Sequence, residues 1–242
     1  MKDSLAMLLQ NYEPGLPMTA AAMARLGIRR EAVARFVKRG CIKRIGHGAY
    51  SLPKDGITGA GVAAVLMREM PDVYLGSTSA LLYHGIYHNV HVDPPMVLFG
   101  KKRRSLPSWT KAFPLFYWRQ SLFDFSTEAG RRLDSQTVKP CLVAPFSLRC
   151  SVPERAVLEM MFEVGRGFTE DDAYNIMTGV ISLRKELLGP LLQACKSIKT
   201  TRLFLSLMDH AGMLEFSSEQ LVEEFSLNIG RRPLNKRKVY VV

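Results

Sequence analysis

Three histidines, His84, His88 and His91, form the one cluster of that residue type in the sequence. A spacing of four would put His84 and His88 on one helix face, where two imidazoles can hold a divalent metal. Asn89 and Val90 read as the end of that helix and no Cys or carboxylate joins the set, so hydrogen-bonded histidines are expected and no metal site. Gly76-Ser77 has the residue types with which nucleotidyltransferases open their active site. That chemistry needs two neighbouring carboxylates to hold Mg²⁺ against a triphosphate, and the next acid is Asp93. Thr78 stands where a G-x-S-x-G turn would carry its nucleophilic serine. Glu170-Asp171-Asp172 reads as a helix start, where negative charge is stabilised. Neither a P-loop nor G-x-G-x-x-G occurs. Cys41, Cys141, Cys150 and Cys195 contain no CxxC pair and read as free thiols. No catalytic residue, metal or cofactor is expected.

What remains is cationic chemistry. The 242 residues include 33 Lys and Arg against 22 Asp and Glu, a formal charge of +11. Such an excess favours a polyanionic partner but does not define a fold. Its distribution is uneven. Residues 1–56 hold ten basic and four acidic side chains, and within 25–44 Glu31 alone opposes eight cations.

The elements that must position these cations follow from local signals. Ser4 can cap a helix over Leu5–Tyr12, with Leu5, Leu8 and Leu9 on one face, and Pro14, Gly15 and Pro17 end it. Thr19 caps a second helix, Ala20–Leu26, and Gly27 supplies a tight turn with Ile28 plugging the gap below. A third helix spans about Arg29–Arg39 and stops at Gly40. Its apolar stripe is Ala32, Val33, Phe36 and Val37, which turns Glu31, Ala34, Arg35 and Lys38 outward. Helix, short glycine turn, helix is the pattern of a helix-turn-helix, whose second helix reads the major groove. Cys41–Ile45, Gly46-His47-Gly48 and Ala49–Pro53 then read as a basic hairpin, a wing. Thr19, Arg29, Arg30, Arg35, Lys38, Arg39, Lys43, Arg44 and His47 are therefore the candidate contacts to double-stranded DNA.

Pro53–Gly56 reads as a linker, followed by a helix over about Gly59–Glu69. An extended piece, a Ser77 cap, a helix and a Gly85 stop come next, then strand-like runs at Met96–Phe99, Phe113–Trp118 and Leu142–Phe146. Lys101–Arg104 reads as an exposed turn. From Ser151 the sequence turns helical. Pro153 suits a first turn, with Val157, Leu158 and Met161 beneath and Arg155 able to pair with Glu159. Thr169 and Asp172 form a capping arrangement, and further helices read at Leu183–Cys195, Ile198–Ala211 and Ser218–Phe225. The expected fold class is α+β: a winged helix-turn-helix over 1–56, then a larger mixed α/β unit over 57–242, strand-containing to 150 and mainly helical beyond.

Four stretches carry a resemblance. They are Arg39 to Tyr50, Tyr74 to Leu81 with His84-Gly85, Pro153 to Glu159, and Ser197 to Leu205. In this order, over nearly the full length, the chain resembles the AbiEi family of antitoxins from type IV toxin–antitoxin systems. The resemblance implies a winged domain that binds inverted repeats in its own promoter and represses the operon. It also implies a carboxy-terminal domain that neutralises a nucleotidyltransferase toxin. The sequence departs from the family pattern at Gly230-Arg231-Arg232-Pro233. Two basic surfaces are candidates for neutralisation: Lys196, Lys199 and Arg202, three apart along a helix, and Arg231 and Arg232 with Lys236, Arg237 and Lys238. Arg155 reads as a structural pin.

The expected function is thus an antitoxin and autorepressor, cytoplasmic because no apolar run is long enough for a membrane span or signal peptide. The alternative is a winged-helix regulator whose second unit senses a small ligand. A DNA-acting enzyme is disfavoured by its missing metal ligands.

Overall fold

The structure, a computed structural model, describes residues 2–86, 95–211 and 215–230. The chain opens with α1 (Lys2–Gln10), β1 (Met18–Thr19), α2 (Ala20–Arg25), α3 (Arg30–Lys38), β2 (Lys43–Gly46) and β3 (Ala49–Ser51). The strands form an antiparallel sheet in the order β1-β3-β2. The sequence reading lacked β1, because two residues are too few to show alternation. It also placed Ser4 as a cap, whereas α1 already begins at Lys2. Leu8 is 1 % exposed but Leu9 is 48 % exposed, so the apolar face of α1 is narrower than expected. Leu8 meets Met23, Ile28, Ala32, Val33, Phe36, Ile42 and Tyr50 in a small core distinct from the main one. Gly40 ends α3 at φ +69 and Gly48 turns the hairpin at φ +76, conformations in which a Cβ is strained.

The larger part contains α4 (Gly59–Glu69), β4 (Tyr74–Leu75), α5 (Ser77–Tyr83), β5 (Met96–Gly100), a 3-10 turn (Ser108–Ala112) and β6 (Leu115–Arg119). Next come α6 (Glu128–Thr137), β7 (Val138–Val143), β8 (Phe146–Ser151), α7 (Pro153–Glu163), α8 (Glu170–Met177), α9 (Lys185–Ala194), α10 (Ile198–Ala211) and α11 (Ser218–Glu224). Five strands make a mixed sheet in the order β6-β5-β4-β8-β7. β4 is central, antiparallel to β5 and parallel to β8, while β5 and β6 run parallel. The fold is α+β, a small winged unit followed by a larger mixed one that is helical toward its end.

Several expectations need correction. Leu142–Phe146 is not one strand: Leu142 and Val143 end β7, Phe146 opens β8, and Ala144-Pro145, joined by a cis bond, make the turn between them. Ser77 is not a cap: Gly76 takes that place, and Ser77 is the first helical residue at φ +52. α6 was not foreseen, since its mean polarity hides its few buried residues, Gly130, Leu133 and Thr137. By contrast α7 is buried on nearly every side, as befits the central helix of a core.

The winged unit is docked on the larger one. Gly15 and Gly61 meet so closely that no side chain fits at Gly61. Arg68 on α4 pairs with Glu13 at 2.5 Å, and Tyr12 donates to Asp55. Leu16 and Ala49 belong to the main core.

Candidate nucleic-acid interface

α3 has one apolar and one charged face. Ala32, Val33 and Phe36 are buried, whereas Glu31, Ala34, Arg35 and Lys38 are exposed, as the 3.6-residue period requires. Arg29 and Arg39 occupy its two cap positions, and both are exposed, as is Arg30. Arg35 Nε donates to the Glu31 carbonyl at 3.3 Å, a contact within its own helix that leaves the side chain on the surface. On the hairpin, Lys43 and Arg44 are exposed on β2 and His47 in the turn. The Arg44 guanidinium lies 5.8 Å from the centroid of the Tyr50 ring, and Lys43 Nζ donates to the Asp55 carbonyl at 3.3 Å. Eight of the nine candidates therefore reach solvent from α3, its caps and the hairpin.

Thr19 does not. It is 4 % exposed, and its hydroxyl accepts from the Ala22 amide at 3.1 Å and donates to Glu69 Oε1 at 2.6 Å. The same capping geometry that made Thr19 legible in the sequence removes it from any ligand's reach. Arg25, exposed in the last turn of α2, was not singled out, although its membership of the cationic run 25–44 is the signal that could have found it.

The second set of candidates fares differently. Lys196 and Lys199 are exposed, but Lys199 Nζ donates to the Val164 carbonyl at 3.2 Å. Arg202 is half-buried and donates to the Ile229 carbonyl at 2.8 Å. Two members of the expected basic stripe thus tie α10 to neighbouring segments. Arg231, Arg232, Lys236, Arg237 and Lys238 lie outside the described residues, as do His88, His91 and Asp93. His84 places Nε2 2.9 Å from the Ser151 carbonyl. Among the described residues no group of three His, Cys, Asp or Glu could hold a metal.

Gly76-Ser77 and Pro153–Glu159, far apart in sequence, converge in the core. Arg155 is 1 % exposed; its Nε donates to Glu159 Oε1 at 2.9 Å, and its other nitrogens donate to Asp134 Oδ1 at 2.7 Å and to the Tyr74 hydroxyl at 2.6 Å. Glu159 also accepts from the Ser77 amide at 3.2 Å and the Ser151 hydroxyl at 2.9 Å. A Cβ at Gly76 would collide with this carboxylate and with the Phe99 ring. Burial would push Asp134 up, but the Arg155 charge and the bond from Lys101 outweigh it and hold its carboxyl below the usual range. Burial raises the Tyr74 hydroxyl well above its ordinary value, so it stays a neutral donor and acceptor. The motif holds β4, α5 and α7 together.

Fold and site together define a winged-helix protein with a basic outer face, joined to a larger mixed α/β unit. Two family models divide the chain between them: residues 1–92 match the transcriptional regulator AbiEi antitoxin N-terminal domain, and residues 93–241 match the transcriptional regulator, AbiEi antitoxin, of type IV toxin–antitoxin systems. The chain belongs to the AbiEi antitoxin family, one of regulators and not of enzymes. The crystal structure of the RV2827C protein from Mycobacterium tuberculosis has a similar fold, with a TM-score of 0.60 at 14 % identity over 98 % of this chain and 81 % of that one. None of the curated proteins matches the sequence significantly. No helix among the described residues is long and apolar enough to cross a membrane.

Proposed function

We propose that this antitoxin represses its own operon by binding operator DNA through α3 and the β2–β3 wing, and that its larger unit neutralises a nucleotidyltransferase toxin. The proposed division is 1–56 for DNA and 57–242 for neutralisation. One observation carries the DNA reading. Arg29, Arg30, Arg35, Lys38, Arg39, Lys43, Arg44 and His47 are all exposed, while the apolar residues of the same elements are turned inward, Ala32, Val33, Phe36 and Tyr50 into the small core and Ile45 and Ala49 into the main one. Recognition helices read bases from their outer face, and wings lie along phosphates.

Binding of a labelled duplex from the region upstream of the gene tests this. Affinity should fall steeply with salt, by about 0.9 in log–log slope per phosphate contacted. Arg35→Ala should cost about 1–3 kcal/mol and relax sequence preference, whereas Lys43→Ala should weaken binding evenly across sequences. Unchanged affinity for Arg35→Ala would remove α3 as the reader. For neutralisation, co-expression of residues 57–242 with the adjacent gene should rescue growth. With Lys199 and Arg202 engaged in holding the chain, Lys196 and the Arg231-Arg232 pair are the cations proposed to act on the toxin or its target.

A second reading, a ligand-sensing regulator, has one feature in its favour. An open groove of about 860 Å³ runs between α6 and α9, lined by Asp124, Glu128, Arg132, Gln136, Glu186 and Pro190 among others. A rise in melting temperature with a small cationic metabolite, together with altered operator affinity, would support it.

A further inference from the structure

The wing does not stand free. β2 is irregular between Arg44 and Gly46, and the side chain between them, Ile45, is turned into the main core. Gly46 then lies directly on the 3-10 turn Ser108–Ala112: a Cβ there would sit 2.5 Å from the Cβ of Trp109 and 2.6 Å from its Cα. Trp109 is 4 % exposed and part of the main core. The strand that carries Lys43 and Arg44 is therefore held by the larger unit at backbone contact, one residue before the His47 turn.

The same 3-10 turn carries Lys111, which is exposed and has no hydrogen-bond or ion-pair partner among the described residues. Two peptide units separate it from Trp109, so its Cα lies within about 7 Å of the Trp109 Cα, and its side chain reaches further. The surrounding sequence is one-sided: from 94 to 123 there are six Lys and Arg and no Asp or Glu. Of these, Lys101 is held by Asp134 and Arg104 by Asp72. Phosphates recur about every 3.4 Å of helix axis along a strand, so a cation beside the wing can meet the backbone adjoining the wing's own contacts.

We infer that the larger unit completes the DNA-binding surface: the 3-10 turn Ser108–Ala112 props the wing through Trp109, and Lys111 adds a phosphate contact beside it. This rests on the DNA-binding reading above and extends it beyond residue 56. Charge complementarity and continuity with the wing select duplex DNA as the occupant.

The test uses the full chain and the labelled upstream duplex over a range of salt concentrations. Lys111→Gln, on the surface, should weaken binding about three- to tenfold near 0.1 M salt and reduce the log–log slope by about 0.9, the loss of one phosphate contact. Lys139→Gln is the control, an exposed lysine on β7 at the opposite edge of the sheet, and should change neither quantity. If the wild type binds with steep salt dependence and Lys111→Gln binds identically, the inference is wrong and the DNA reading stands. If both variants lose affinity equally, net charge alone is responsible and the inference is again wrong. If the wild type itself does not bind, the underlying reading fails and takes the inference with it.

Discussion

Arg155 and Glu163 lie on the same helix and both are buried, at 1 % and 9 % exposed, yet they bear on stability in opposite ways. Arg155 is fully compensated by Glu159 and Asp134, and their charges lift it above its ordinary value despite burial. Arg155→Ala leaves Glu159 buried and uncompensated and should cost about 3–5 kcal/mol in urea unfolding. Glu163 has no such compensation. Burial pushes its carboxyl up to about 7; the nearby Glu159 carboxylate adds to this, and the Ser77 hydroxyl and Arg166 only partly oppose it. With a folded value above the unfolded one, the folded chain holds the extra proton between about pH 4.5 and 7, and stability falls as pH rises through that window. Glu163→Gln should flatten the fall, and at pH 8 it should be the more stable protein, by at most about 3 kcal/mol. Equal pH slopes for the two proteins would refute this. The pairing of Arg155 with Glu159 was legible from their spacing of four. The burial of Glu163 was not, because nothing local distinguishes it from a surface glutamate.

Among the elements, two of the four helix-start caps expected from the sequence are in place, Thr19 and Thr169, whereas Ser4 and Ser77 lie inside their helices. Thr19 and Thr169 both accept from the amide three residues on, and Thr169 completes a capping box with Asp172. These are contacts within a few residues, so sequence alone can specify them. Thr19→Ala removes the cap of α2 and the bond to Glu69 and should cost about 1–2 kcal/mol of stability. Thr19→Ser should restore most of it. Because Thr19 is buried, DNA affinity of the folded Ala variant should be affected far less than that of Arg35→Ala; an equal loss would return Thr19 to the contact surface. The boundaries of α4 and α10 were read to the residue, whereas α6 and the β7–β8 hairpin were not. Capping and an amphipathic stripe are local signals. A strand pair with a proline turn, and a polar helix that buries three residues, declare themselves only through what they pack against.

For the molecule as a whole, the decisive feature is the place of β4. It is two residues long, yet it sits in the middle of the five-stranded sheet and belongs to the part matched by the N-terminal family model. A chain beginning at residue 93 would lack the strand between β5 and β8 and both partners' ladder bonds. Residues 93–242 alone should therefore fail to unfold cooperatively on heating. Residues 57–242 keep all five strands and should show a single sigmoidal melt by circular dichroism. A cooperative melt from the shorter piece would mean that β4 is dispensable. Docking contacts at Gly15, Gly61, Glu69 and Trp109 further tie the winged unit to the rest.

Sequence by itself determined the three helices and the hairpin of the winged unit, the outward set of its cations and the family, because period, caps and charge runs are properties of neighbouring residues. Tertiary structure alone decided that Thr19 is inaccessible, that Lys199 and Arg202 are spent on carbonyls, and that Gly76-Ser77 serves the core. It also decided that the wing leans on Trp109. Each of these depends on which surfaces meet across long stretches of chain, and that is settled by packing, where no local pattern reports the partner.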